Sequence, residues 1–169
     1  MKKTILSLLL VSASYSAMAE RYPTADEFAQ QIRDSGAEKV ISGIPETDEG
    51  LWNEIFKHIS NGDAAWLKLI PSISMTGAVS WNEQLGTALA QAIPKNVNGV
   101  MEVIDDSKIS ISTASVCSMP LYHETVPEQN EYVVKAIQAL YKSNSVQAQK
   151  CLQQLIMTVG QSGQFREVD

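Results

Sequence analysis

Cys117 and His123 are the two residues of this chain best suited to covalent chemistry, because a thiol becomes a strong nucleophile when a neighbouring base takes its proton. They stand six residues apart in one stretch, so a dyad is conceivable. Cys151 competes for the same sulfur. These two cysteines are the only ones in the chain, and their pairing would close a loop of 34 residues. On the chain-entropy account such a bridge stabilises a fold by about 3 to 4 kcal/mol. A disulfide is the expected state in an oxidising compartment, with a free thiol and a metal ligand as the alternatives. His58 and His123 are the only histidines, and no pair among the four cysteines and histidines has the close spacing of a structural zinc site.

Carboxylates offer a second chemistry. Glu102, Asp105 and Asp106 gather where a helical pattern ends, a position the helix dipole disfavours for negative charge. A calcium ion or a partner's arginine would relieve that repulsion, and so would plain solvation; the spacing of an EF-hand loop is absent. There is no Gly-x-Ser-x-Gly elbow, no phosphate-cradling glycine loop and no dinucleotide fingerprint. The reading is therefore of a protein without catalytic residues, metal or cofactor. Its partner contacts are expected at Asp105, Asp106, Ser118, Tyr122, His123 and Glu124, on a segment that Cys117 would pin.

Helices must position that segment. Leu51, Trp52, Ile55, Phe56 and Ile59 repeat at the spacing of one helix face, as do Trp66 and Ile70, Leu85 and Leu89, and Val100 and Ile104. Each piece is too short to persist alone in water, so a compact all-α bundle of about six helices in short hairpins is expected. Thr24 to Glu27 reads as a capping box, with a short helix after it that stops near Gly36. Thr47 opens the second helix, Asn61-Gly62 ends it, and Asp63 caps a third that Pro71 should stop. Ser80 to Glu83 reads as another capping box, Asn96 as the cap of a fourth piece, and Ser145 as the cap of the last helix.

Trp-Asn-Glu occurs at Trp52 and again at Trp81, each time opening a hairpin, without enough flanking similarity to make a true repeat. The three tryptophans are expected as core anchors, and His58 as a partner of the helix C-terminal carbonyls. Tyr132, Val133, Ala136, Ile137, Leu140 and Tyr141 give the clearest apolar stripe, and Ala148, Leu152, Leu155, Ile156 and Val159 are expected to face it. Between Asp105 and Pro127 the helical period vanishes, leaving strand or ordered loop equally open.

Residues 1–19 read as a cleavable secretory signal: Lys2 and Lys3, an apolar run from Ile5 to Val11, then Ala17-Met18-Ala19. The run is too short to cross a bilayer, so no membrane insertion is expected after cleavage, and the location is periplasmic. The remaining chain divides into a 20–46 extension with a short helix, a helical domain over 47–160 and a flexible 161–169 tail. Without Lys2 and Lys3 it carries 11 basic and 19 acidic residues, a net charge of −8. That balance argues against nucleic-acid phosphates and fits a basic protein partner.

Trp52-x-x-Ile55, Gly62-Asp63-x-x-Trp66-Leu67, the run Ala88-Leu89-Ala90-x-Ala92-Ile93-Pro94-Lys95-Asn96-Val97, and Val116-Cys117-Ser118 with a late-helix Cys151 together resemble the periplasmic immunity proteins that neutralise type VI secretion peptidoglycan amidases. The similarity covers most of Thr47 to Val159 and rests mainly on packing residues. It implies an all-helical, disulfide-bonded, often dimeric toxin inhibitor without activity of its own, which blocks the cleft of a secreted cysteine amidase. The blocking loop would fall within Asp105 to Glu124. The segment before Thr47 is longer than that pattern. The alternative is a structural or assembly factor of the cell envelope that holds a peptide or protein partner in a helical groove.

Overall fold

The computed structural model describes residues 22–45, 49–74, 79–121 and 124–161. The expected signal segment, Thr47, Tyr122, His123 and residues 162–169 lie outside them.

Thr24 starts the folded chain as anticipated. Its backbone N–H donates to Glu27 Oε2 at 2.8 Å while the Glu27 N–H donates to Thr24 Oγ1 at 3.3 Å, so the first orphan amides of α1 (Ala25–Ser35) are satisfied reciprocally. Gly36 ends that helix at φ 84°, a left-handed backbone that glycine adopts without strain, and α2 (Ala37–Ser42) follows at once. Phe28, Ile41 and Ile44 are buried in the same core as the later helices, so the stretch expected as an N-terminal extension contributes to the domain's packing.

The remaining elements are α3 (Glu49–Ser60), α4 (Ala64–Leu67), α5 (Ile70–Ile73), α6 (Val79–Ala92), α7 (Val97–Val103), a 3-10 turn (Ile109–Ile111), α8 (Thr113–Val116), α9 (Val126–Lys142) and α10 (Val146–Gln161). The all-α expectation holds among the described residues, but they form ten helices rather than about six. Two readings account for part of the excess. Pro71 does not stop the third helix; a turn at Lys68 and Leu69 ends it, and Pro71 sits in the first turn of α5, where its missing N–H would have had no helical partner anyway. Of the stretch between Asp105 and Pro127, open in the sequence as strand or loop, the described residues hold the 3-10 turn and α8 joined by irregular chain, and no strand.

The centre of the core is aromatic. Trp81 is fully buried and meets Trp52 edge-on, with ring centroids 5.1 Å apart and planes at 90°, the geometry that points the positive ring edge at the negative ring face. The two Trp-Asn-Glu sites thus touch each other where α3 packs on α6. Phe56 closes the cluster at 4.8 Å from Trp81, whose Nε1 donates to the Ile73 carbonyl at 3.3 Å. Trp66 is buried too, against Phe28, so all three tryptophans are core anchors.

Neighbouring hairpins lock through their turns. Gly62 has φ 73°, and an added Cβ there would stand 2.8 Å from Asn96 Cβ, so only glycine permits the α3–α4 turn to lie on the start of α7. Asn96 uses both ends of its side chain: Oδ1 accepts from the Gly99 N–H at 3.0 Å, and Nδ2 donates to the Gly62 carbonyl at 2.8 Å. Asp63 and Ser145 cap α4 and α10 as expected, through the amides of Ala65 and Ala148.

Three local expectations are corrected. Ser80 is inside α6, which has begun by Val79, so no capping box opens at Ser80. Tyr141 is 77% exposed and Ile156 52% exposed, although both were expected to face the core. Each adjoins a buried leucine, Leu140 and Leu155, and one residue of helix turns the side chain about 100° away from that neighbour.

A candidate partner-binding groove

Cys117 and Cys151 form the disulfide, and both are fully buried. The bridge ties the end of α8 to the middle of α10, so the serine-rich stretch is folded onto the body. Polar bonds do the rest of that work. The Asp105 N–H donates to the Ile111 carbonyl at 3.1 Å, closing the 105–111 loop at its neck. Lys108 Nζ reaches back to the Pro71 carbonyl at 2.8 Å, and Gln147 Nε2 donates to Thr113 Oγ1 at 2.7 Å. Further along, Thr87 Oγ1 donates to the Pro120 carbonyl at 3.0 Å and Gln154 Nε2 donates to Ser118 Oγ at 2.9 Å. Gly86 lets the segment approach α6 closely, since a Cβ there would lie 3.3 Å from the Ser110 carbonyl.

The expected contact residues divide between two roles. Asp105 Oδ1 accepts from both the backbone N–H and the hydroxyl of Ser107, at 3.0 and 2.6 Å, and Asp106 Oδ1 accepts from the Thr113 N–H at 2.8 Å. The Ser107 hydroxyl, followed by its backbone amide, holds the Asp105 carboxyl below its ordinary value of 3.8. The Thr113 backbone amide does the same for Asp106. Both aspartates therefore act as internal staples of the loop, and these bonds help to compensate the negative charge for which a calcium ion, a partner's arginine and plain solvation were the alternatives. Among the described residues no group of carboxylates, histidines and cysteines is arranged to hold a metal ion.

Ser118 and Glu124 are placed differently, side by side with α6 on the wall of one groove of about 1100 Å³. The groove runs between the second half of α3, the polar side of α6 and the pinned segment, and its exposed surface is mostly apolar, with Phe56, Pro120 and Leu121 among the lining. Glu124 is fixed there by the Gln91 amide, which donates to its Oε1 at 3.1 Å, and by Gln129, whose Nε2 donates to the Leu121 and Glu124 carbonyls at 3.0 Å each. Ile109 tops the segment, 77% exposed, with Val79 across the groove at 74%.

Thr87, Gln91 and Ile109 were not among the expected contacts. Ser80, Gln84, Thr87 and Gln91 repeat at helical spacing, and all four line the groove. That polar stripe on an otherwise apolar helix was the signal available in the sequence.

His58 belongs to a second, smaller hollow at the opposite edge of α3. Its Nε2 lies 3.3 Å from Glu54 Oε1, its Nδ1 3.3 Å from Asp63 Oδ2, and its ring stacks on Trp66 at 5.5 Å. It buttresses the α3–α4 turn through side chains, not through the helix-end carbonyls expected for it. None of the described helices is long and apolar enough to cross a membrane.

No protein-family model, no curated protein and no solved structure matches the chain.

Proposed function

We propose that this chain is a non-enzymatic, exported binding protein that neutralises a peptidoglycan amidase by covering its active cleft. The observation that carries the reading is the crest over residues 105–121: it exposes Ile109 at its top, yet it is tied to the body by the Cys117–Cys151 bridge and by side-chain bonds from α6 and α10. An apolar side chain held out on a preorganised segment loses little entropy on docking, which is how inhibitors enter the concave sites of their enzymes. The disulfide supports an oxidising compartment, where such an amidase acts. Ile109 would enter the cleft, while Ser118 and Glu124, with α6, would grip its edge.

Co-expression with a periplasm-directed amidase encoded beside this chain tests the reading. The expected result is that cells survive, that the two proteins co-elute on gel filtration, and that Ile109→Asp abolishes both while leaving the helical spectrum unchanged. Continued lysis with separate elution would overturn it. Survival with Ile109→Asp fully protective would move the contact into the groove alone, as in the alternative of an assembly factor.

A further inference from the structure

Six of the nine large apolar side chains left exposed among the described residues belong to the last two helices. Five of them stand on the outer side of that hairpin: Val134 and Tyr141 on α9, and Val146, Ile156 and Met157 on α10. The core does not need them, since Leu140 on α9 and Cys151 and Leu155 on α10 are already fully buried on the inner side. A contiguous exposed apolar patch marks a contact with another surface.

The composition of α10 shows what kind of surface. Of its sixteen residues Lys150 alone is charged, and its exposed side reads Val146, Gln149, Gln153, Ile156 and Met157 at helical spacing. Solvated helix faces carry charge, and helices that lie on lipid carry a strongly basic face. Depletion of charge, with methionine and tyrosine present, is the composition of a protein interface at its centre.

The pattern of α9 shows which protein. Glu131, Val134, Gln138 and Tyr141 follow at three- and four-residue steps along its exposed side, with Lys142 next to Tyr141. The stripe is acidic at one end, basic at the other and apolar on both sides of Gln138. Reversed end for end, it complements itself. A two-fold axis crossing near Gln138 sets Val134 against Tyr141 of a second copy and Glu131 beside that copy's Lys142, and it makes each contact twice. Lys142 forms no ion pair among the described residues, and Glu131 is engaged by Lys135 one turn along, in an exposed pair that solvent screens.

We infer that the outer face of α9 and α10 pairs with the same face of a second copy of this chain. The two α9 helices run antiparallel about Gln138, and Ile156 and Met157 of each copy flank the other copy's α9. Gln154, which holds Ser118 of the crest, lies about 200° of helix away from Ile156, so the crest stays uncovered in the dimer. A face two helices wide and about 24 Å long is at the small end of specific interfaces, so monomer and dimer exchange at about 10 to 100 μM.

Analytical ultracentrifugation of the disulfide-bonded protein tests the pairing, with the dimer expected to dominate by about 300 μM. Tyr141→Asp should weaken it about a hundredfold with an unchanged helical spectrum, because the two-fold axis repeats every substitution. Glu131→Lys and Lys142→Glu should each weaken it about tenfold, and the double variant should recover wild-type association, which a merely structural effect would not give. Gln138→Cys should cross-link two copies under mild oxidation while the Cys117–Cys151 bridge stays intact. A monomer at about 1 mM would overturn the inference, whether the face then takes phosphatidylglycerol vesicles or the chain's own 162–169 segment. So would a dimer indifferent to Tyr141→Asp, or charge reversals that fail to rescue each other.

Discussion

The junction of α3 with α6 and the crest over residues 105–121 are both rigid for different reasons. The first is held by apolar burial: Trp52, Phe56 and Trp81 fill one volume, and their only cross-element polar bond among those described is from Trp81 to the Ile73 carbonyl. The crest buries few large apolar side chains, Ile111, Val116 and Leu121, and is held by side-chain bonds to backbone, two of them from distant elements, plus one covalent link. Burial is non-directional and tolerates a change of partner, whereas each crest bond has one donor and one acceptor. The core can therefore set stability while the crest sets shape.

Removing the centre of the core should break this contrast most severely. Trp81→Ala deletes the largest fully buried side chain and should cost about 3 to 5 kcal/mol in denaturant unfolding, lowering protection of the whole molecule in hydrogen exchange. Cys117→Ser with Cys151→Ser should cost about 2 to 4 kcal/mol. Its further expected mark is local: exchange should rise across residues 105–121 well before it rises in α3 and α6. Equal loosening of both regions would show that the crest has no separate means of support.

Acid should give the smallest and most local effect. Asp105 and Asp106 titrate below 3.8 in the folded protein because serine and threonine donors favour the ionised form. A folded value below the unfolded one means that their contribution is fully present above about pH 4 and is lost as pH falls through the lowered values. Protection of the Ser107 and Thr113 amides, relative to their intrinsic exchange, should therefore fall as pH drops below 3.8, and Asp106→Asn should shift the Thr113 response. An unchanged acid profile at Thr113 in that variant would separate the loop's closure from the carboxylate.

The same contrast explains what could be read in advance. Burial at helical period is a local signal, so the faces of α3 and α6, the caps at Thr24, Asp63, Asn96 and Ser145, and the pairing of the two cysteines were legible. The crest was not, because its turns depend on partners such as Lys108 with Pro71, or Thr87 with Pro120, which are more than thirty residues apart in sequence. Serine and threonine there could equally have served a strand, a loop or a cap. Asp106 looked like surface charge for the same reason, since the Thr113 amide it holds lies seven residues on and meets it only after the chain has turned back; Asp105 instead holds Ser107 two residues away, a local turn that its sequence already allowed.

Cys151 lies in the last helix of the described chain, whereas the segment it anchors was synthesised 34 residues earlier. The crest therefore cannot be finished in chain order; it waits, with its sulfur unspent, until α10 has appeared and the pair has met an oxidant. The crest's shape is acquired in one late step, so a copy cut before Cys151, or one still reduced, would carry the aromatic core without a pinned crest.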